Sequence, residues 1–220
     1  LAFSMMLALG LATLVPNTFN RGIAHADIVA DQAAAAGQRP MVRQSANGVP
    51  LVNIQTPSAA GVSHNTYSQF DVHSNGAILN NASTITNTQL GGFVQGNPYL
   101  GAATARVILN EVNLRNPSYL NGFIEVAGTR AQVIVANPAG ISCNGCGFIN
   151  TNRATLTTGK PMMNGGNLIG YRVGGGTINF LGAGLETSNV NFTDVIARAV
   201  YVNAGVFAQN LNVITGANQV

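Results

Sequence analysis

From Val49 onward the chain alternates short apolar runs with polar corners. Leu51-Val52-Asn53-Ile54, Ala77-Ile78-Leu79, Val107-Ile108-Leu109, Phe123-Ile124-Glu125-Val126 and Ala131-Gln132-Val133-Ile134-Val135 are followed within a few residues by Asn or Gly. Asn167-Leu168-Ile169, Thr177-Ile178-Asn179-Phe180 and Val190-Asn191-Phe192 continue the pattern, and the block from Ala199 to Ile214 alternates clearly. Runs this short, rich in β-branched residues and bounded by turn formers, predict strands. Their centres recur irregularly, several of them about 15 to 20 residues apart, which favours stacked coils over a sandwich of long strands. In a parallel β-helix the inward Val, Ile, Leu and Phe would stack into one core. Asn at the corners would bond the backbone and other Asn side chains.

The stretch from Val133 to Gly159 is the densest example. Val133-Ile134-Val135 is a strand, and Asn137-Pro138-Ala139-Gly140 stops it. Asn suits the first position of a type I turn, because its side chain can accept from the backbone two residues on. Pro has the φ that the second position requires, and Gly suits the fourth. Ile141 restarts a strand, Asn144-Gly145 makes a second corner between Cys143 and Cys146, and Phe148-Ile149 and Leu156 follow. The stretch therefore reads strand, turn, strand, turn, strand.

The N-terminus departs from this pattern. Leu1 to Val15 is almost wholly apolar, too short for a span of about 20 residues, and matches the core of a secretory signal peptide. Ala24-His25-Ala26 supplies small residues at the two inspected positions, so cleavage is expected before Asp27. The alternative is a buried N-terminal helix. With no basic region or Met before Leu1, the chain is read as beginning inside its precursor. Asp27 to Gln38, with four consecutive Ala, is the best helix candidate after the signal; lacking an apolar stripe, residues 27–48 are expected to form an arm or cap. Residues 49–220 would be the β-helical domain. The strand pattern is still running at Val220, so the chain is read as the N-terminal piece of a longer protein.

Composition agrees with an all-β reading. The chain has 26 Gly and 27 Asn, no Trp, and 8% charged residues. After residue 26 the charge is 9 − 7 = +2 with His neutral, and the cations are scattered. A pI near 9.2 is then no argument for nucleic acid.

The motifs, taken together, resemble the secretion domain of two-partner-secretion exoproteins. That family includes filamentous haemagglutinin, the large haemolysins and the contact-dependent growth-inhibition proteins. Its Asn-Pro-Asn-Gly-Ile motif corresponds to Asn137-Pro138-Ala139-Gly140-Ile141, with Ala139 replacing Asn. Its Asn-Pro-Asn-Leu motif corresponds to Asn97-Pro98-Tyr99-Leu100, again changed at the third position. The segment Cys143 to Gly159 is similar as well, and the resemblance covers nearly all of the chain after residue 27. It implies a right-handed parallel β-helix, a single-stranded solenoid with an N-terminal cap. It also implies transport through a dedicated outer-membrane barrel whose periplasmic POTRA domains recognise the exported chain. The two Asn-Pro motifs are expected to serve that recognition or to nucleate folding. Adhesion or toxicity, and any surface receptor, would belong to a more C-terminal region. The resemblance implies a secreted or cell-surface protein of a Gram-negative bacterium and no cofactor.

Other chemistry is thinly supplied. Cys143 and Cys146 are read as a structural disulfide closing a small loop, ahead of two thiols at a corner and of a redox pair. Two cysteines are too few for a structural zinc site, and no metal is expected. His64 and His73, nine residues apart around Tyr67, Phe70 and Asp71, are read as surface or corner histidines in preference to a catalytic pair. Gly159-Lys160-Pro161 lacks the hydroxyl and upstream Gly of a phosphate loop, and Gly174-Gly175-Gly176 is a corner. A β-helical polysaccharide lyase or hydrolase needs clustered acids, yet only Asp27, Asp31, Asp71, Glu111, Glu125, Glu186 and Asp194 exist. A glycan-binding adhesin surface built on Tyr and Asn is the remaining alternative.

Overall fold

The structure, a computed structural model, describes residues 28–220. The signal-peptide reading, with Ala24 and Ala26 at the cleavage site, lies outside the described residues. The apolar runs form a three-faced parallel coil. Face one stacks Val62–Gln69, Val107–Val112, Ala131–Ala136, Thr151–Thr157, Phe192–Ala197 and Leu211–Thr215, all parallel. Face two stacks Ser118–Leu120, Ile141–Cys143, Thr177–Phe180 and Ala199–Val202. Face three stacks Pro50–Asn53, Ala77–Asn81, Phe123–Gly128, Cys146–Ile149, Leu185–Thr187 and Val206–Ala208. A coil runs from face one through face two to face three and then steps up to the next. The fold is thus an all-β β-helix.

Period-2 side-chain alternation turns each run into a column of the core. Val133 lies between Ile108 and Ala154, and Leu156 between Val135 and Val195. Cys143 stands between Leu120 and Phe180, and Ile124 between Ala77 and Phe148. All are buried in one cluster, and each large side chain buried this way contributes about 1.5–3 kcal/mol.

The coil-to-coil spacing overlaps the expected range at its short end and extends beyond it. Val133 pairs with Ala154, 21 residues on, and Thr193 with Leu211, 18 on. Val107 pairs with Gln132, 25 on. Two longer steps arise because hairpins interrupt the coil. Thr86–Thr88 pairs antiparallel with Gly92–Val94, and Lys160–Asn164 with Asn167–Val173. The second hairpin turns at Gly165 and Gly166, whose φ values of +55° and +82° suit the twist of a two-residue hairpin turn. It lies over the outer side of face one, where Tyr171 and Val173 cover Leu109, Ile134 and Ile196 in a second apolar cluster. That cover explains why Ala131–Val135 is nearly continuous in apolar residues, since this strand is buried on both sides.

The helix expected over Asp27 to Gln38 is corrected among the described residues. Val29–Ala30 is a strand antiparallel to Val62–Gln69, and only Ala36–Gln38 forms a single 3-10 turn. Ala-rich propensity is weak when a segment has no apolar stripe to bury, and here the exposed sheet edge offers hydrogen bonds instead. Met41–Gln44 likewise runs antiparallel to Pro50–Asn53, and Ile28 and Val42 pack on the main core.

Candidate functional site

The two Asn-Pro motifs fold into the same corner. At Asn137 the side-chain Oδ1 accepts from Ala139 N at 2.9 Å, and its carbonyl accepts from Gly140 N at 3.0 Å. At Asn97 the Oδ1 accepts from Tyr99 N at 2.9 Å, and its carbonyl from Leu100 N at 3.3 Å. Each is an Asn side-chain turn superimposed on a backbone turn, as Asn followed by Pro favours.

The amide nitrogen of each Asn is then free to reach other coils. Asn137 Nδ2 donates to Asn116 O and Ser118 Oγ, both at 2.9 Å, in the preceding coil. Its backbone N donates to Thr157 O at 2.9 Å in the following one. Asn137 thus joins three successive coils, and it is fully buried. Asn97 Nδ2 donates to Ile54 O at 2.8 Å and Asn80 O at 2.9 Å, and its backbone N to Ala82 O at 2.7 Å. It is also buried, together with Leu100.

The third motif position contributes only its backbone N–H to the turn. Ala139 is exposed and Tyr99 half-buried, so neither side chain is needed to close the corner. Gly140 differs from Leu100: its φ is +122°, and an added Cβ would stand 3.1 Å from Thr177 O. Ile141 begins face two and is buried. Pro138 and Pro98 each line a surface groove.

One coil-corner on, Cys143 and Cys146 are joined by a disulfide with Cα atoms 5.3 Å apart. Both are core residues, and the bridge closes the Asn144-Gly145 corner between faces two and three.

The expectation of Asn-to-Asn ladders needs adjusting. Among the described residues only Asn80 Nδ2 donates to another Asn side chain, Asn53 Oδ1 at 2.8 Å. The others chiefly satisfy backbone groups of adjacent coils: Asn81 serves Ala105 and Thr129, Asn110 serves Ile134, and Asn150 serves Val126 and Gly128. Backbone carbonyls of neighbouring coils, in strands as well as at corners, thereby gain a side-chain donor.

The described acids are dispersed, some serving backbone groups and others pairing with side chains. Glu125 accepts from Gln89 N at 2.7 Å and Leu90 N at 2.8 Å, pinning the first hairpin's turn. Asp71 accepts from Tyr119 N at 2.7 Å. Asp194 takes a forked pair from Arg153 at 2.6 and 2.9 Å. That hydrogen bonding raises Arg153 above its ordinary value, against the desolvation that lowers it. Glu186 is held below the usual carboxylate range by Ser188. His64 is engaged by Glu111 Oε2 at 2.7 Å and Gln38 at 3.1 Å, and His73 stands at a turn. Tyr67, whose hydroxyl donates to Asn110 Oδ1 at 2.9 Å, is pushed far up by burial. No group of three or more His, Cys, Asp or Glu poised to hold a metal occurs among the described residues.

The sequence placed Asn137 at a turn, gave Asn97 only as part of a similar motif, and missed the partners of both. Asn116 and Ser118 carry no local signal, because they become neighbours of Asn137 only through stacking.

Comparison with known proteins follows the same lines. The family described as TPS secretion domain matches residues 26–220. A protein named Toxin CdiA from Yersinia pestis is 55% identical over 220 residues, all of this chain and 6% of that protein. A tRNA nuclease CdiA-2 from Burkholderia pseudomallei is 49% identical over 193 residues, 87% of this chain and 6% of that protein. The chain therefore spans a small fraction, about 6%, of the length of these curated relatives. The crystal structure of a filamentous hemagglutinin secretion domain superposes with a TM-score of 0.74 at 36% identity, covering 88% of this chain and 64% of that one.

Proposed function

The chain belongs to the TPS secretion-domain family, and on that premise we propose that it directs a long exoprotein through an outer-membrane partner and starts β-helix folding outside. Membership implies a two-partner-secretion transporter; the finer reading is that its periplasmic POTRA domains engage the chain before it folds. The observation that supports this reading most is the repeated Asn-Pro corner. One side chain builds the turn and the same side chain ties coils together, so the motif is suited to starting a stack. Asn137-Pro138-Ala139-Gly140-Ile141 and Asn97-Pro98-Tyr99-Leu100 are the proposed recognition and folding residues.

The transport reading is physically coherent. Scarce charge and short strands suit a chain that is exported unfolded and gains free energy by stacking afterwards. Folding on the far side removes the unfolded species from the transport equilibrium, which biases movement outward. Residues 1–26 are the proposed signal, 27–48 the cap and 49–220 the β-helical unit, of a protein secreted from or displayed on a Gram-negative cell. The toxin or nuclease activity in the relatives' names is proposed to reside outside the matched region. For the full-length protein we favour a contact-dependent toxin or an adhesin acting on a target cell. The acids among the described residues, dispersed and each committed to its own partners, give a lyase or hydrolase reading no support.

The test is export of residues 27–220 behind an intact signal peptide, with and without the cognate transporter. Appearance in the medium only with the transporter is expected. Equal appearance in both cases contradicts the proposal.

A further inference from the structure

A groove of about 490 Å³ runs beside the Asn137 corner, lined among others by Glu111, Leu114, Arg115, Pro138, Ala139 and Lys160. Its size falls in the range of about 300–1,000 Å³ common to ligand clefts. Three successive parts of the coil build it. Glu111 to Arg115 leave face one, Pro138 and Ala139 are the turn one coil on, and Lys160 opens the outer hairpin after the next strand. Leu114 is 51% exposed, and Arg115, Ala139 and Lys160 are exposed as well.

The charges are unequal in their commitments. The Glu111 carboxylate already accepts from His64 at 2.7 Å. Neither Arg115 nor Lys160 makes an ion pair or a side-chain hydrogen bond among the described residues. The groove at Pro98 offers a contrast: its cation, Arg43, donates Nε to Met41 Sδ at 2.9 Å.

We propose that the groove beside Asn137 docks an extended acidic segment of a partner protein in which carboxylates alternate with apolar side chains. Carboxylates of such a segment would meet the exposed Arg115 and Lys160, and its apolar groups the exposed Leu114 with Pro138 and Ala139. Arg115 offers a forked donor to a carboxylate. The exposed Leu114 beside Pro138 and Ala139 distinguishes this site from one for a sulfated or otherwise anionic saccharide, which would use the cations and leave Leu114 uncovered. Because its walls come from separate coils, the groove exists only once the chain has folded. Its partner is therefore met after folding, an interaction beyond the export reading.

The experiment is fluorescence anisotropy on the folded full chain, with a labelled peptide alternating Asp and Leu and a matched one alternating Lys and Leu. Only the acidic peptide is expected to bind. Arg115→Glu combined with Lys160→Glu should weaken it by about tenfold or more, the loss of at least one charged hydrogen bond. Arg43→Glu should leave it unchanged, and circular dichroism should show every variant folded. Leu114→Ser should weaken it by roughly fivefold through lost apolar contact. The proposal is overturned if the acidic peptide does not bind or the two peptides bind alike. It is also overturned if the double charge reversal keeps full affinity. If Leu114→Ser is neutral while a sulfated oligosaccharide displaces the peptide at equal concentration, the site is a simple polyanion site and the proposal fails.

Discussion

Asn137 and Asn97 make the same turn with the same atoms, yet they hold different things together. Asn137 sits in the regular stack, where its amide reaches Asn116 and Ser118 below and its backbone reaches Thr157 above. Asn97 sits where the long excursion of residues 82–106 returns, and its amide ties that excursion to Ile54 and Asn80 near the capped end. The local chemistry is thus a reusable part. An Asn whose Oδ1 closes its own turn keeps Nδ2 for a neighbour, and the neighbour is whatever the topology brings. One corner propagates the coil, and the other closes an insertion onto it.

The largest expected effect comes from Asn137→Ala. It removes three side-chain hydrogen bonds and strands the buried Ser118 Oγ, for a loss of about 1.5–4.5 kcal/mol at roughly 0.5–1.5 each. Urea unfolding measures this directly. The loss should be global, because three coils lose their common partner. A loss below about 1 kcal/mol would mean that water or a shifted backbone replaces the amide.

Asn97→Ala should cost less, about 1–3 kcal/mol, and much of it locally. Amide hydrogen exchange should speed up across residues 82–100 while the strands at 131–136 and 151–157 stay protected. Uniform acceleration through both regions would erase the distinction between the two corners.

The disulfide corner provides a covalent reference. Closing a loop of only four residues constrains the unfolded chain by roughly 2 kcal/mol. Reducing the folded protein should lower its urea midpoint by a corresponding amount, less than Asn137→Ala does. A larger drop would place the Cys143–Cys146 bond above the Asn corners in holding the coil.

The smallest effect is expected from Ala139→Asn. The position is exposed and lends the turn only its N–H, so stability should stay within about 0.5 kcal/mol. Thermal unfolding of the variant checks it. A marked change would show that the third position shapes the corner after all.

What the sequence made legible follows from range. The strands were readable because inward Val, Ile and Leu alternate locally, and the Asn137 turn because Asn, Pro and Gly act within four residues. The outer hairpin had a local mark as well: Asn164-Gly165-Gly166-Asn167 is a two-residue hairpin turn signal that the broader reading passed over in favour of coils. The fate of residues 28–38 was not legible, since Ala-rich composition favours a helix and only the exposed edge of Val62–Gln69 makes a strand at Val29–Ala30 preferable. Nor were Asn116 and Ser118, or the Glu125 grip on Gln89 and Leu90, because each contact spans about 20 to 35 residues and depends on stacking.

The most direct measurement follows export and folding of one variant together. Asn137→Ala is expressed with the cognate transporter, its rate of appearance in the medium is compared with wild type, and the same protein is purified, refolded and measured by circular dichroism. The account predicts a severe export defect in a chain that still refolds to a β-rich spectrum. Export at the wild-type rate would contradict it and reduce Asn137 to a structural corner.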